Sequence, residues 1–122
     1  MRRLPTRPMH EVSIMQSVME MAIGKLGEAG YQKIDSITLR IGGATGILTD
    51  SLRFAFDALK PGTPVCGAVL HIEEVPVGGV CLGCGEGFST PEKFVFSCPL
   101  CGHERIRITQ GRELDLTGLE VS

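Results

Sequence analysis

Two cysteine pairs constrain this chain more than any other feature. Cys81-Leu82-Gly83-Cys84 and Cys98-Pro99-Leu100-Cys101 are separated by thirteen residues. Two residues between paired cysteines let one tight turn aim both sulfurs at a single ion, and zinc takes four soft ligands in a tetrahedron. Gly83 and Gly85 suit the first turn and Gly102 the second. Phe88, Phe94, Val95 and Phe96 suit a short hairpin that presents both pairs to one metal. A module of about 30 residues cannot bury an adequate core by itself, so the metal must contribute much of its folding free energy. With cysteine at all four positions the site is closed, hence structural. Cys66 is the odd cysteine, read as a small buried residue at a strand edge.

The rest of the chain has to fold around that module. It has 122 residues, 43% hydrophobic and 21% charged, with 5% aromatic and no Trp. The core therefore comes from Leu, Ile, Val, Met and Ala. A net charge of -2 argues against a partner held by bulk electrostatics, such as nucleic acid or an anionic membrane. No apolar run approaches the roughly 20 residues of a bilayer span. The basic segment 1–8, broken by Pro5 and Pro8, lacks the apolar middle of a secretory signal and is expected to be disordered. The expected compartment is the reducing cytoplasm, where such cysteine pairs bind metal rather than form disulfides.

Ile14, Val18, Ala22 and Leu26 recur every fourth residue, with Met15, Met19 and Ile23 widening the stripe. That pattern predicts a helix over 12–29, with Ser13 able to cap its start and Gly30 ending it. Ile37, Leu39 and Ile41 alternate with polar residues in a half-buried strand. A second helix is expected after Thr49 or Asp50 as cap, with Leu52, Ala55, Phe56 and Leu59 on one face and Pro61-Gly62 as its end. Residues 68–75 read as a strand and Pro76, Gly78 and Gly79 as a linker. Ile106 and Ile108 mark a further strand; Leu114, Leu116, Leu119 and Val121 mark one or two more. This last strand material has little core available in the cysteine module, so it is expected to return to the first domain.

These elements predict an α+β fold with two helices on a small three-stranded sheet and an inserted zinc-ribbon-like module. The expected division is a disordered extension at 1–8, an α+β domain at 9–79, a zinc-binding insert at 80–111, and a returning C-terminal strand at 112–122.

A second candidate site precedes the first helix: Met9-His10-Glu11. By itself a histidine near a helix start is most often solvated or capping. Glu11 in the first turn suits the helix dipole. The segment gains meaning in combination. Met9-His10-Glu11-Val12-Ser13-Ile14, the strand from Ile37 to Gly42, Phe54-Ala55-Phe56, Ile72-Glu73-Glu74-Val75-Pro76, both cysteine pairs and Gly111-Arg112-Glu113-Leu114 resemble, in order and spacing, the hydrogenase nickel-incorporation (HypA/HybF) proteins.

The resemblance implies a nickel metallochaperone and not an enzyme. It would carry Ni(II) toward nickel–iron hydrogenase, and in some organisms toward urease. It implies as partners a GTPase of the HypB type, the hydrogenase large subunit and urease maturation proteins; homodimerisation is left open. It implies His10 as the essential nickel ligand, with Met9 supplying its amine nitrogen and Glu11 its backbone amide or carboxylate. Ni(II) favours nitrogen donors and accepts square-planar geometry, so a histidine second in a chain suits it.

Two positions depart from the family pattern. Eight residues precede Met9, and while they remain the Met9 nitrogen is a peptide amide rather than an amine. Gly43 stands where the family usually carries an acidic residue. His103, two residues beyond Cys101, reads as a surface histidine in a turn, His71 as surface-facing, and Met15, Met19 and Met21 as core filler. The competing reading is a zinc-ribbon module that binds nucleic acid or protein. In 81–111 the acids Glu86, Glu92 and Glu104 balance Lys93, Arg105 and Arg107, which is a poor phosphate-reading surface. A thiol oxidoreductase would need an exposed low-pKa cysteine and no bound metal.

Overall fold

The first helix, α1, runs Glu11–Ala29 and buries Ile14, Met15, Val18, Met19, Ala22 and Leu26 along one face. These residues recur at three- and four-residue intervals, so the helical period alone produces the apolar stripe. Glu11 supplies the acidic residue of the first turn. Ser13 lies inside the helix and is not its cap. The second helix, α2, runs Thr49–Leu59; its N-cap is Leu48, with no side-chain cap hydrogen bond. Thr49 is therefore the first helical residue, one position past the cap expected of it. Leu52, Ala55 and Phe56 are its buried face, and the two helices pack on each other. Met15 and Met19 fill the core as expected, while Met21 is half-buried.

The computed structural model describes residues 2–3 and 11–122. Among the described residues there are two sheets. Strands β1 (Arg2–Arg3), β2 (Ile34–Gly42), β3 (Val69–Val75) and β7 (Leu114–Val121) form a four-stranded sheet in the order β1-β7-β2-β3. Strands β4 (Val77–Cys81), β5 (Gly87–Thr90) and β6 (Ile106–Gln110) form a three-stranded sheet in the order β5-β4-β6. The larger sheet exceeds the expected three strands by β1, which pairs antiparallel with β7 through Arg2↔Leu116 and Arg3↔Asp115. The C-terminal segment is one strand rather than two, and it lies beside β2.

The chain divides into two compact units. The first comprises 1–40, 47–73 and 114–122; the second comprises 41–46 and 74–113. The first unit holds both helices and most of the four-stranded sheet. Its core includes Met15, Val18, Ile34, Ile37, Leu39, Leu52 and Val65, each almost wholly shielded from solvent. On β2 the polar Ser36 is also buried, and its hydroxyl donates to Glu120 Oε1 at 2.7 Å. No helix among the described residues is long and apolar enough to cross a membrane.

The second unit is organised around close backbone approaches. Gly78 and Gly79, expected in a linker, lie inside the central strand β4 and pair on both sides, Gly79 facing Phe88 on β5 and Ile108 on β6. A Cβ at Gly79 would sit 2.2 Å from the Arg107 carbonyl oxygen, so glycine is required here by the neighbouring backbone rather than by flexibility. The end of β2 makes a second approach. The Gly42 amide donates to the Glu113 carbonyl at 2.7 Å, and a Cβ on Gly42 would lie 2.1 Å from the Gly111 carbonyl carbon. Gly111 itself has φ +107 and packs on the Val77 backbone, while its amide donates to Glu113 Oε1 at 2.7 Å. Glu113 thus holds this crossing in place.

Candidate metal centre

The two knuckles are built by the same hydrogen bonds. In the first, Cys81 N–H donates to Glu86 O at 3.0 Å and Gly85 N–H donates to Cys81 O at 2.9 Å. In the second, Cys98 N–H donates to His103 O and Gly102 N–H to Cys98 O, both at 2.8 Å. Gly85 and Gly102 occupy equivalent places, just past the second cysteine of each pair, with φ +77 and +80. A side chain in that left-handed conformation would be strained. The chain therefore makes one turn twice, each time pointing two sulfurs to the same side.

The four sulfurs converge. Among the described residues, Cys81, Cys84, Cys98 and Cys101 form the group suited to hold a metal ion, with all Sγ atoms within 4.8 Å of one another. Cys81 Sγ lies 3.6 Å from Cys101 Sγ, and Cys84 Sγ lies 4.0 Å from Cys98 Sγ. A tetrahedral zinc with bonds of about 2.3 Å sets its sulfurs about 3.8 Å apart. The Cys81–Cys101 and Cys84–Cys98 separations lie on either side of that spacing, so the cradle suits an ion of that size. The first cysteine of each pair is buried and the second exposed.

The surrounding amides favour thiolate at Cys81. The backbone N–H groups of Cys84 and Gly83 both donate to Cys81 Sγ at 3.3 Å. Led by the Cys84 amide, these donors hold the Cys81 thiol at about 6, far below its ordinary value, against the opposing loss of water around it. Cys101 moves the other way. The His103 amide acts downward on it, but the neighbouring Cys81 sulfur and desolvation push it up to about 12. Cys84 is raised as well; the Glu86 amide pulls it down and is outweighed by Cys81 and by desolvation. One negative sulfur makes a second costly in the absence of a cation. A divalent ion removes that conflict, which is why this donor set suits zinc.

Other candidate residues fall in different places. Met9 and His10 lie outside the described residues, and Glu11 is half-buried in the first turn of α1. Gly43 begins a 3-10 turn, Gly43–Thr45, where an added Cβ would touch Val77 Cγ2 at 3.4 Å. His71 is exposed, as expected. His103 is exposed too, but it is held more firmly than a simple turn histidine. Its Nδ1 accepts the Arg105 N–H at 3.0 Å, and its ring lies where a Cβ on Gly83 would stand, 2.6 Å away. Gly83 is therefore needed to admit the His103 ring, a role that only the folded knuckles reveal.

Two expectations are corrected. Cys66 is exposed, not buried. It sits in the turn after α2, where its N–H donates to Thr63 O at 3.1 Å, and Val65 takes the core position beside it. Residues 94–96 do not form a hairpin between the knuckles. β5 pairs instead with β4, and Phe94 and Phe96 stand exposed. Backbone pairing to a strand already anchored at Cys81 competes successfully with a hairpin that has no other support.

The fold and this site together define a small α+β protein carrying a four-cysteine, zinc-ribbon-like unit. The family is then shown by comparison: the chain belongs to the HypA family, whose sequence model, "Hydrogenase/urease nickel incorporation, metallochaperone, hypA", matches residues 9–121. It is 42% identical over 112 residues to "Hydrogenase maturation factor HypA" of Chloroflexus aggregans, covering 92% of this chain and 98% of that protein. It is 43% identical over 113 residues to the protein of the same name from Desulfitobacterium hafniense, covering 93% and 98%. Among solved structures it is similar to the Ni metallochaperone HypA from Helicobacter pylori in solution, with TM-score 0.63, 26% identity, and 93% and 97% of the two chains covered.

Proposed function

We propose that this chain is a nickel metallochaperone that delivers Ni(II) during the maturation of nickel–iron hydrogenase and holds one structural zinc ion. The observation that carries this reading is the family match, which runs unbroken from Met9 through both knuckles to Val121. The names of its relatives refer to hydrogenase maturation, and that of the similar solution structure to nickel.

In this reading Cys81, Cys84, Cys98 and Cys101 would hold zinc, which would neutralise the thiolates and order the second unit. Nickel is cargo. His10, Met9 and Glu11 would bind it at the start of α1, in the 9–79 domain, with the zinc-binding insert over 80–111 separate from it. A nickel carrier needs ligands that release the ion as well as bind it. Nitrogen and oxygen donors at a chain segment suit that better than a closed set of thiolates. The reading further assigns a GTPase of the HypB type and the hydrogenase large subunit as partners and the cytoplasm as compartment.

Native mass spectrometry of the full chain tests this. The wild type should carry one zinc and, on titration, one nickel; His10→Ala should lose nickel and keep zinc. Undiminished nickel stoichiometry in His10→Ala would overturn the assignment. Because the imidazole must be neutral to bind, nickel affinity should also weaken below about pH 6.5.

A further inference from the structure

Beside the first turns of α1 and α2 lies a groove of about 410 Å³ lined by Glu11, Val12, Asp50, Ser51 and Phe54. All five belong to the first unit. The groove combines two features. Its apolar members are displayed rather than buried: Phe54 is 75% exposed and Val12 48%, and Leu48, just before α2, is 52% exposed. A protein surface that groups large apolar side chains in this way usually meets another surface. Its charged members are both acidic, and neither Glu11 nor Asp50 makes an ion pair with another described residue. The two helix N-termini contribute about half a positive charge each, whereas the two carboxylates contribute two full negative charges. The balance is about one negative charge.

Residue 10 precedes the groove's Glu11 directly in the chain. Passing a metal ion by ligand exchange requires donor and acceptor ligands around the same ion. A polypeptide seated in this groove therefore lies against the residue that follows His10 in the chain. We propose that the groove formed by Glu11, Val12, Asp50, Ser51 and Phe54 is the docking surface for the nickel-accepting polypeptide, which inserts an apolar side chain flanked by Lys or Arg. This rests on the nickel-carrier reading above. Phe54 anchors the apolar insertion, and Asp50 with Glu11 selects the neighbouring cation. The exposed Phe96 of the second unit takes no part.

The experiment uses the full chain and, as probe, the nickel-free precursor of the hydrogenase large subunit. Phe54→Ser and Asp50→Lys should each weaken precursor binding at least tenfold, while nickel and zinc stoichiometry stay at one each. Phe96→Ser should leave binding unchanged. Raising salt from about 50 to about 300 mM should weaken the wild type more than Asp50→Lys, as a charge pair at a rim requires. A photo-crosslinking residue at position 54 should attach to a precursor segment with Lys or Arg within a few residues.

Unchanged affinity in both groove variants overturns the proposal, as does crosslinking to an acidic segment. Loss of a wild-type homodimer in Phe54→Ser overturns it in favour of a self-interface. A wild type that binds no nickel overturns instead the underlying carrier reading.

Discussion

The two units of this chain reach order by different means. In the first, Met15, Val18, Ile34, Ile37, Leu39, Leu52 and Val65 lie essentially beyond the reach of solvent. In the second, the side chains buried to that degree are Val77, Cys81 and Cys98, and two of these are proposed metal ligands. The second unit also leaves Leu82, Phe94, Phe96 and Leu100 exposed. One unit has an apolar core; the other has a metal cradle and close glycine contacts where a core would be. The lesson is that a segment of this size can hold a defined shape with few buried side chains if four ligands share one ion.

Removing the ion should separate the two units most strongly. Cys81→Ser, or chelation of zinc, should abolish amide-exchange protection in β4, β5 and β6 while α1 and β2 keep theirs. Structural zinc in small modules supplies about 10–16 kcal/mol of apparent binding free energy, so the loss should be complete within the second unit. Simultaneous melting of α1 would show that the units are not separately ordered.

A pair of phenylalanines sharpens the other side. Phe56 is buried and Phe54 exposed, two residues apart on the same helix. Phe56→Ala should cost about 3–5 kcal/mol in urea unfolding of the first unit, and Phe54→Ala should fall within about 0.5 kcal/mol of wild type. Comparable losses at both positions would mean that Phe54 is covered in solution. Gly42→Ala tests the backbone approach in the second unit. The added Cβ collides with the Gly111 carbonyl carbon, and overpacking of this kind costs about 1–3 kcal/mol. A neutral effect, read as an unchanged thermal midpoint, would mean that the crossing yields readily.

Acid gives the gentlest separation. Cys81 has a depressed pKa, so in the metal-free chain its thiolate favours folding at alkaline pH, and that contribution is lost as pH falls from the ordinary thiol value of 9.0 to about 6. Cys101 is raised, so its thiol favours folding below 9.0 and stops doing so as pH rises toward about 12. Because the second unit is expected to lose its structure without the ion, the low Cys81 value is read in the zinc-loaded protein, near pH 6. In zinc-loaded protein, release to a chromophoric chelator should begin as pH falls through that region, with helical circular dichroism retained. Helicity that collapsed together with zinc release would erase the distinction between the units.

How much of this was legible beforehand depends on the range of the interaction. Both helices were readable because a helix records its buried face locally, every third or fourth residue. The knuckles were readable for the same reason: a Cys-x-x-Cys turn is closed by its own amides. The caps were not, because Ser13 and Thr49 are capable of capping but the chain enters each helix earlier than they do. The exposure of Cys66 also escaped, since an adjacent Val65 could take the core position in its stead. Gly78 and Gly79 misled most, because glycines in a row suggest a linker until a neighbouring backbone is seen to exclude every side chain.

Residue chemistry and local turns are written along the chain: four thiols in two matching knuckles, an apolar stripe on each helix, and a Met-His-Glu segment ahead of α1. Which strands are neighbours is fixed only when the chain folds. Folding sets β4 between β5 and β6, lays β7 beside β2, crosses Gly42 over Gly111 and sets the His103 ring against Gly83. Such choices depend on backbones that approach from far along the chain, and neither hydrophobic period nor motif spacing records what another strand will be standing beside.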